Sequence, residues 1–132
     1  MSNRKSRYAD STITVNLDAI VANWRFFDSL SAPSTKTAAM VKANGYGLGS
    51  GAVATALAAA GCALFFVASL GEAIELRRYF KKVGINEMPI MVLHGAQIGQ
   101  EDALAANQLV PVLNDLEQIS LSLIHISEPT RR

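Results

Sequence analysis

Four short apolar runs recur along the chain with helix-forming segments between them, and this alternation limits the fold more than any other feature. The runs are Thr37–Val41, Leu64–Ala68, Ile90–Leu93 and Leu109–Leu113. Ala52 to Ala60 is a strong helix former by composition and is closed by Gly61 as a C′ residue. Ser69 and Glu72 are spaced as a capping box, opening a helix whose Ala73, Leu76, Phe80 and Val83 share a face. Gly99 to Ala106 reads as a short helix, and Asn114 with Glu117 repeats the capping spacing for another. Each of the four runs is apolar on both faces, which predicts strands buried on both sides in a parallel sheet covered by helices. A doubly wound open sheet and a (β/α)8 barrel both satisfy this pattern. A barrel needs about 250 residues, so on that reading 132 residues make roughly half of one.

Upstream of this rhythm, Thr12–Leu17 alternates β-branched and polar residues and predicts a strand with one covered face. Asp18 is then placed to cap a helix with Ile20, Trp24, Phe27 and Leu30 on one side, broken at Ala32–Thr35. Met1 to Tyr8 is basic with no apolar stretch after it, which argues against a secretory signal. Ala52 to Leu70 is long enough to span a bilayer. A helix ending at Gly61 followed by a buried strand accounts better for the same residues. The net charge of +1 gives no footprint for nucleic acid or a membrane surface. Cys62 is the sole cysteine and forms no internal disulfide.

Chemistry concentrates at Met40-Val-Lys-Ala-Asn-Gly-Tyr-Gly-Leu-Gly49. A lysine at the carboxyl end of a buried strand stands where α/β folds keep their active sites. An amine shielded from water there is a usable base and Schiff-base nucleophile, the kind that pyridoxal phosphate requires. Tyr46 lies four residues on and can reach a phosphate oxygen or the lysine. Gly45, Gly47, Gly49 and Gly51 allow a tight turn close to a ligand. The plainer reading is a lysine at a sheet rim followed by turn glycines, and the residues alone leave both open. The glycine spacing fits neither a dinucleotide fingerprint nor a P-loop. No metal-ligand spacing is present, and His94 reads as packed or solvated. Glu72 and Glu75 read as capping and solvated residues, and Arg77, Arg78, Lys81 and Lys82 as a solvated helix face.

Ala39-Met-Val-Lys-Ala-Asn-Gly-Tyr-Gly-Leu-Gly resembles the cofactor-lysine motif of alanine racemases, commonly A-V-V-K-A-N-A-Y-G-H-G. Further blocks follow in order. Asn16-Leu-Asp-Ala-Ile is similar to an early D-L-D-A-L block, and Phe66-Val-Ala-Ser-Leu-Gly-Glu-Ala to F-A-V-A-S-L-E-E-A. Pro89-Ile-Met-Val-Leu-His-Gly is similar to P-I-L-V-L-x-G, and Leu109-Val-Pro-Val-Leu-Asn to L-T-P-V-V-x. The likeness covers residues 12–119 and implies the N-terminal half of a (β/α)8 barrel of the alanine racemase type.

It further implies Lys42 as the residue that holds pyridoxal phosphate and serves as one of two proton-transfer bases, with Tyr46 on the cofactor phosphate. Leu48 departs from the motif's histidine, which bears on packing beside the turn. The resemblance places the opposing tyrosine base in a C-terminal β domain absent from this chain and supplied by a partner subunit. It thus implies a cytoplasmic homodimer interconverting L- and D-alanine for peptidoglycan synthesis. The chain itself is expected to be a truncated, inactive fragment of such an enzyme; a serine or broad-specificity racemase of the same fold is the alternative, as is a non-catalytic cofactor-binding fragment or one with no function. Leu121 to Arg132 falls outside the pattern. It reads as the translation of a transposase-type sequencing adapter, which is expected to truncate a longer reading frame.

Overall fold

A computed structural model describes residues 11–127. Its elements run α1 (Leu17–Ser29), β1 (Ala39–Met40), α2 (Lys42–Tyr46), α3 (Ser50–Ala59), β2 (Phe65–Val67), α4 (Leu70–Lys82), β3 (Ile90–Val92), α5 (Glu101–Ala106), β4 (Val110–Pro111) and α6 (Leu116–Ser127). The four strands pair in parallel in the order β1-β2-β3-β4. Sequential order settles the choice that periodicity left open. A doubly wound sheet reverses direction at a switch point, whereas successive barrel strands keep adding on one side. Right-handed crossovers that always step the same way also put every connecting helix on the same face.

That face is the core. Ala39, Val41, Phe65, Val67, Ile90 and Val92 pack beneath Val53, Ala54 and Leu57 of α3, Ala73, Leu76 and Phe80 of α4, and Leu104 of α5. The Phe65 and Phe80 rings meet edge to face at 5.5 Å. A Cβ on Gly51 would overlap the Tyr79 ring, so α3 and α4 approach closely only because residue 51 lacks one. The opposite face differs from expectation. Met40, Phe66, Met91 and Val110 pair across the sheet as one row. None of these four belongs to the buried core; Met40 remains 38% and Val110 43% exposed. Apolar on both faces therefore does not mean covered on both faces here.

Other expectations shift for local reasons. Residues 11–16 form no strand, because alternation fits a pleat only where a partner strand offers hydrogen bonds. Asn16, and not Asp18, caps α1, accepting the Ala19 N–H at 3.0 Å. Helix α1 turns Leu17, Ile20, Val21 and Trp24 inward, and Trp24 Nε1 donates to the Thr37 carbonyl at 3.1 Å. Phe27 and Leu30 instead face outward. Helix α3 stops before Gly61, whose φ is 110°. No described helix is long and apolar enough to cross a membrane. Strand β4 is cut to two residues, since Pro111 offers no N–H to a ladder.

At α6 the capping pair is Asp115 with Gln118, not Asn114 with Glu117. Asp115 Oδ1 accepts the Gln118 N–H at 2.8 Å. The buried Gln118 side chain accepts from Asn114 N–H and donates to the His94 carbonyl. Arg77 is the clearest departure from the solvated helix face, at 2% exposure. Its guanidinium donates to the carbonyls of Asn86, Asn107 and Gln108, tying α4 to the segments that lead into β3 and β4. Burial pushes its pKa below the ordinary arginine value. Arg78, Lys81 and Lys82 are exposed, as expected. Helix α6 continues through residues 121–127 of the unusual tail; the rest of that tail and the basic N-terminus lie outside the described residues.

Candidate active site

Lys42 follows β1 directly after the buried Val41, at the carboxyl end of the sheet, and is half-buried. The backbone beyond it forms a left-handed turn. Ala43, Asn44, Gly45 and Tyr46 have φ of 51°, 53°, 64° and 55°, and Gly47 continues at 83°. Left-handed backbone costs an L-residue about 1–2 kcal/mol, so three non-glycine residues within four positions mark stored strain of the kind found at functional sites. The expected glycine-rich turn is present, but the strain falls on residues other than glycine.

Hydrogen bonds offset that cost. Gly45 N–H donates to Val41 O and Gly47 N–H to Ala43 O, each at 2.9 Å, closing one helical turn of reversed hand. The left-handed stretch begins one residue after Lys42 and carries the chain to Tyr46 and Gly47. Tyr46 is 61% exposed there. Asn44 Oδ1 accepts from Ser50 N–H at 3.0 Å, joining the turn to the start of α3. Gly45 lies under that start, where a Cβ would come within 3.1 Å of Ser50 N.

Glu72 does more than the capping reading assigned. Ser69 Oγ does accept the Glu72 N–H, at 3.4 Å, so half of the predicted box stands. The Glu72 carboxylate goes elsewhere: Oε1 accepts the Ala43 N–H at 3.0 Å and Oε2 the Ala68 N–H at 2.8 Å. Beneath the turn a cavity of about 200 Å³ is lined by Val41, Asn44, Ser50, Val67, Glu72 and Glu75. His94 is exposed at the end of β3, and Glu75 is exposed. Cys62 is buried, and burial raises its thiol pKa, which suits a packing residue more than a nucleophile.

Sequential parallel strands with their connecting helices on one face define the N-terminal portion of a (β/α) barrel, and the lysine on its strained turn lies at the carboxyl ends of those strands. Residues 15–129 match the family described as alanine racemase, N-terminal domain. The alanine racemase of Cereibacter sphaeroides is 42% identical over 113 residues, covering 85% of this chain and 31% of that protein. The Brucella ovis alanine racemase is 44% identical over 111 residues, covering 84% and 27%. Among solved structures, alanine racemase from Bartonella henselae with covalently bound pyridoxal phosphate superposes with a TM-score of 0.73 at 38% identity, covering 83% of this chain and 29% of that one. The enzyme from E. faecalis gives 0.72 at 30% identity, covering 83% and 28%. The chain belongs to the alanine racemase family, a family of amino-acid-racemising isomerases, and spans about three-tenths of the length of these relatives.

Proposed function

We propose that this chain carries the cofactor-lysine segment of a pyridoxal-phosphate-dependent alanine racemase. The observation that supports this most is Lys42 itself, on a strained turn at the carboxyl end of β1 in a chain of this family. The donor set suits the cofactor. Lys42 offers a primary amine for an aldehyde at the start of the turn, and Tyr46, exposed four residues on, a phenol for a phosphate oxygen. Pyridoxal phosphate, when bound, draws electron density from the substrate α-carbon so that its proton can leave and return. Lys42 would hold the cofactor through Nζ and, once released by substrate, take or return that proton on its own face. Tyr46 would donate to the phosphate and orient the group against Lys42.

Racemisation needs a second base on the opposite face. We assign that base to a tyrosine of a C-terminal domain contributed by a partner subunit, so the active enzyme is a homodimer acting on alanine in the cytoplasm, with D-alanine directed to peptidoglycan. For these 132 residues alone, Lys42 permits cofactor attachment, the lack of a second base argues against turnover, and the open apolar row Met40–Phe66–Met91–Val110 favours aggregation. Residues 121–132 we assign to an adapter-derived tail; the family match runs to residue 129, so reading the genomic locus past Ile119 decides this point.

The test of function uses the continuous reading frame. Lys42→Ala should abolish D-alanine formation and covalent cofactor attachment, and a serine substrate should turn over more slowly than alanine. Racemisation that persists in Lys42→Ala refutes the assignment, and faster turnover of serine shifts it to the related racemase.

A further inference from the structure

We propose that Glu72 is a positioning residue for Lys42, clamping the left-handed turn so that the lysine amine faces the cofactor. This rests on the reading of Lys42 given above. The Ala43 N–H that donates to Glu72 Oε1 belongs to the same planar peptide unit as the Lys42 carbonyl. Fixing that N–H fixes ψ of Lys42, and with it the direction in which its side chain leaves the sheet. The second carboxylate oxygen is held by the Ala68 N–H at the end of β2, so the clamp is referenced to the neighbouring strand. Its backbone is referenced again through the Ser69 cap. The carboxylate thus ties the reactive end of β1 to β2, across a sequence separation of 29 residues. The strain at Ala43, with φ 51°, is what makes such a clamp necessary, because alanine left to itself returns to right-handed backbone.

Glu72→Gln is the informative substitution. It keeps the size of the side chain beside the cavity, but a carboxamide has one acceptor oxygen where two N–H groups point. One donor must then face another donor. Ala43→Gly supplies the complementary change, since glycine adopts positive φ without strain.

In the full-length enzyme carrying this segment, pyridoxal phosphate is titrated into wild type, Glu72→Gln, Ala43→Gly and the double variant. The cofactor's absorbance gives Kd, and borohydride reduction with peptide mapping locates the attachment. Amide exchange at Ala43 is followed in the cofactor-free protein. Glu72→Gln should weaken binding about tenfold or more, as expected for losing a charge-assisted bond. Ala43→Gly should restore most of that loss in the double variant, and Ala43 exchange should be slow only where Glu72 is intact.

Unchanged binding in Glu72→Gln overturns the clamp. So does a loss that Ala43→Gly leaves untouched, because support of α4 alone would not depend on strain at residue 43. Should wild type take up cofactor at a residue other than Lys42, the functional reading fails, while Ala43 exchange still reports on the clamp. Should Glu72→Gln not fold, Ala43 exchange in wild type decides: protection comparable with the strands supports the clamp, and free exchange overturns it.

Discussion

The two faces of the sheet are made from the same kinds of residue and meet different surroundings. On one, Phe65, Ile90, Val67 and Val92 lie under α3, α4 and α5 and are lost to solvent. On the other, Met40, Phe66, Met91 and Val110 form an equally apolar row that belongs to no buried core among the described residues. Hydrophobicity states that a surface is to be covered; only topology states by what. Successive strands on one side and helices on the other leave the bare row facing the interior of a barrel, where further strands of the family's fold would bring their own side chains.

The comparison can be broken by truncating each face in turn. Phe80→Ala on the covered side removes an aromatic packed on Phe65 and should cost about 3–5 kcal/mol of unfolding free energy, read by urea titration of the full-length enzyme. A loss below about 1 kcal/mol would sink the claim that this side is the core. Met91→Ala on the bare side should cost about 2–5 kcal/mol in the full-length enzyme, yet less than about 1 kcal/mol in the 132-residue chain, where its neighbours are missing. Equal costs in the two contexts would mean the row is not completed by further strands. Gly51→Ala should destabilise by about 1–3 kcal/mol through overlap with Tyr79, visible as a lower melting temperature; a neutral result would show that α3 and α4 can move apart. Asn16→Ala sharpens the boundary of the covered side, costing about 1 kcal/mol through loss of the α1 cap, whereas Asp18→Ala should cost less.

The sequence showed most of the fold where one segment specifies its own structure. Gly61 ends α3, Ser69 caps α4, and the four apolar runs contain the four strands. It misled where a residue's partner is distant in the chain. Arg77 looks like part of a charged helix face because its three carbonyl acceptors belong to loops 9 to 31 residues away. Gln118 moves the α6 cap by one residue because its amide is needed at the corner after β3. At the candidate site, the motif singled out Lys42 and Tyr46, while the hand of the turn stayed hidden: alanine and asparagine after a lysine give no sign of positive φ. Glu72 was visible as a capping residue, and that sufficient local explanation concealed its second task.

The reach of that carboxylate also orders events during synthesis. When Lys42 is added to the growing chain, the residue that fixes its turn is still to come. Ala43 and Glu72 are 29 positions apart, which at 5–20 residues per second is a wait of roughly 1.5 to 6 s. During that interval the nascent turn is free to adopt ordinary right-handed backbone. On the clamp proposed above, Lys42 is therefore aimed only after the second strand and the first turn of its helix have been translated, so the order in which this segment is made differs from the order in which it is set in place.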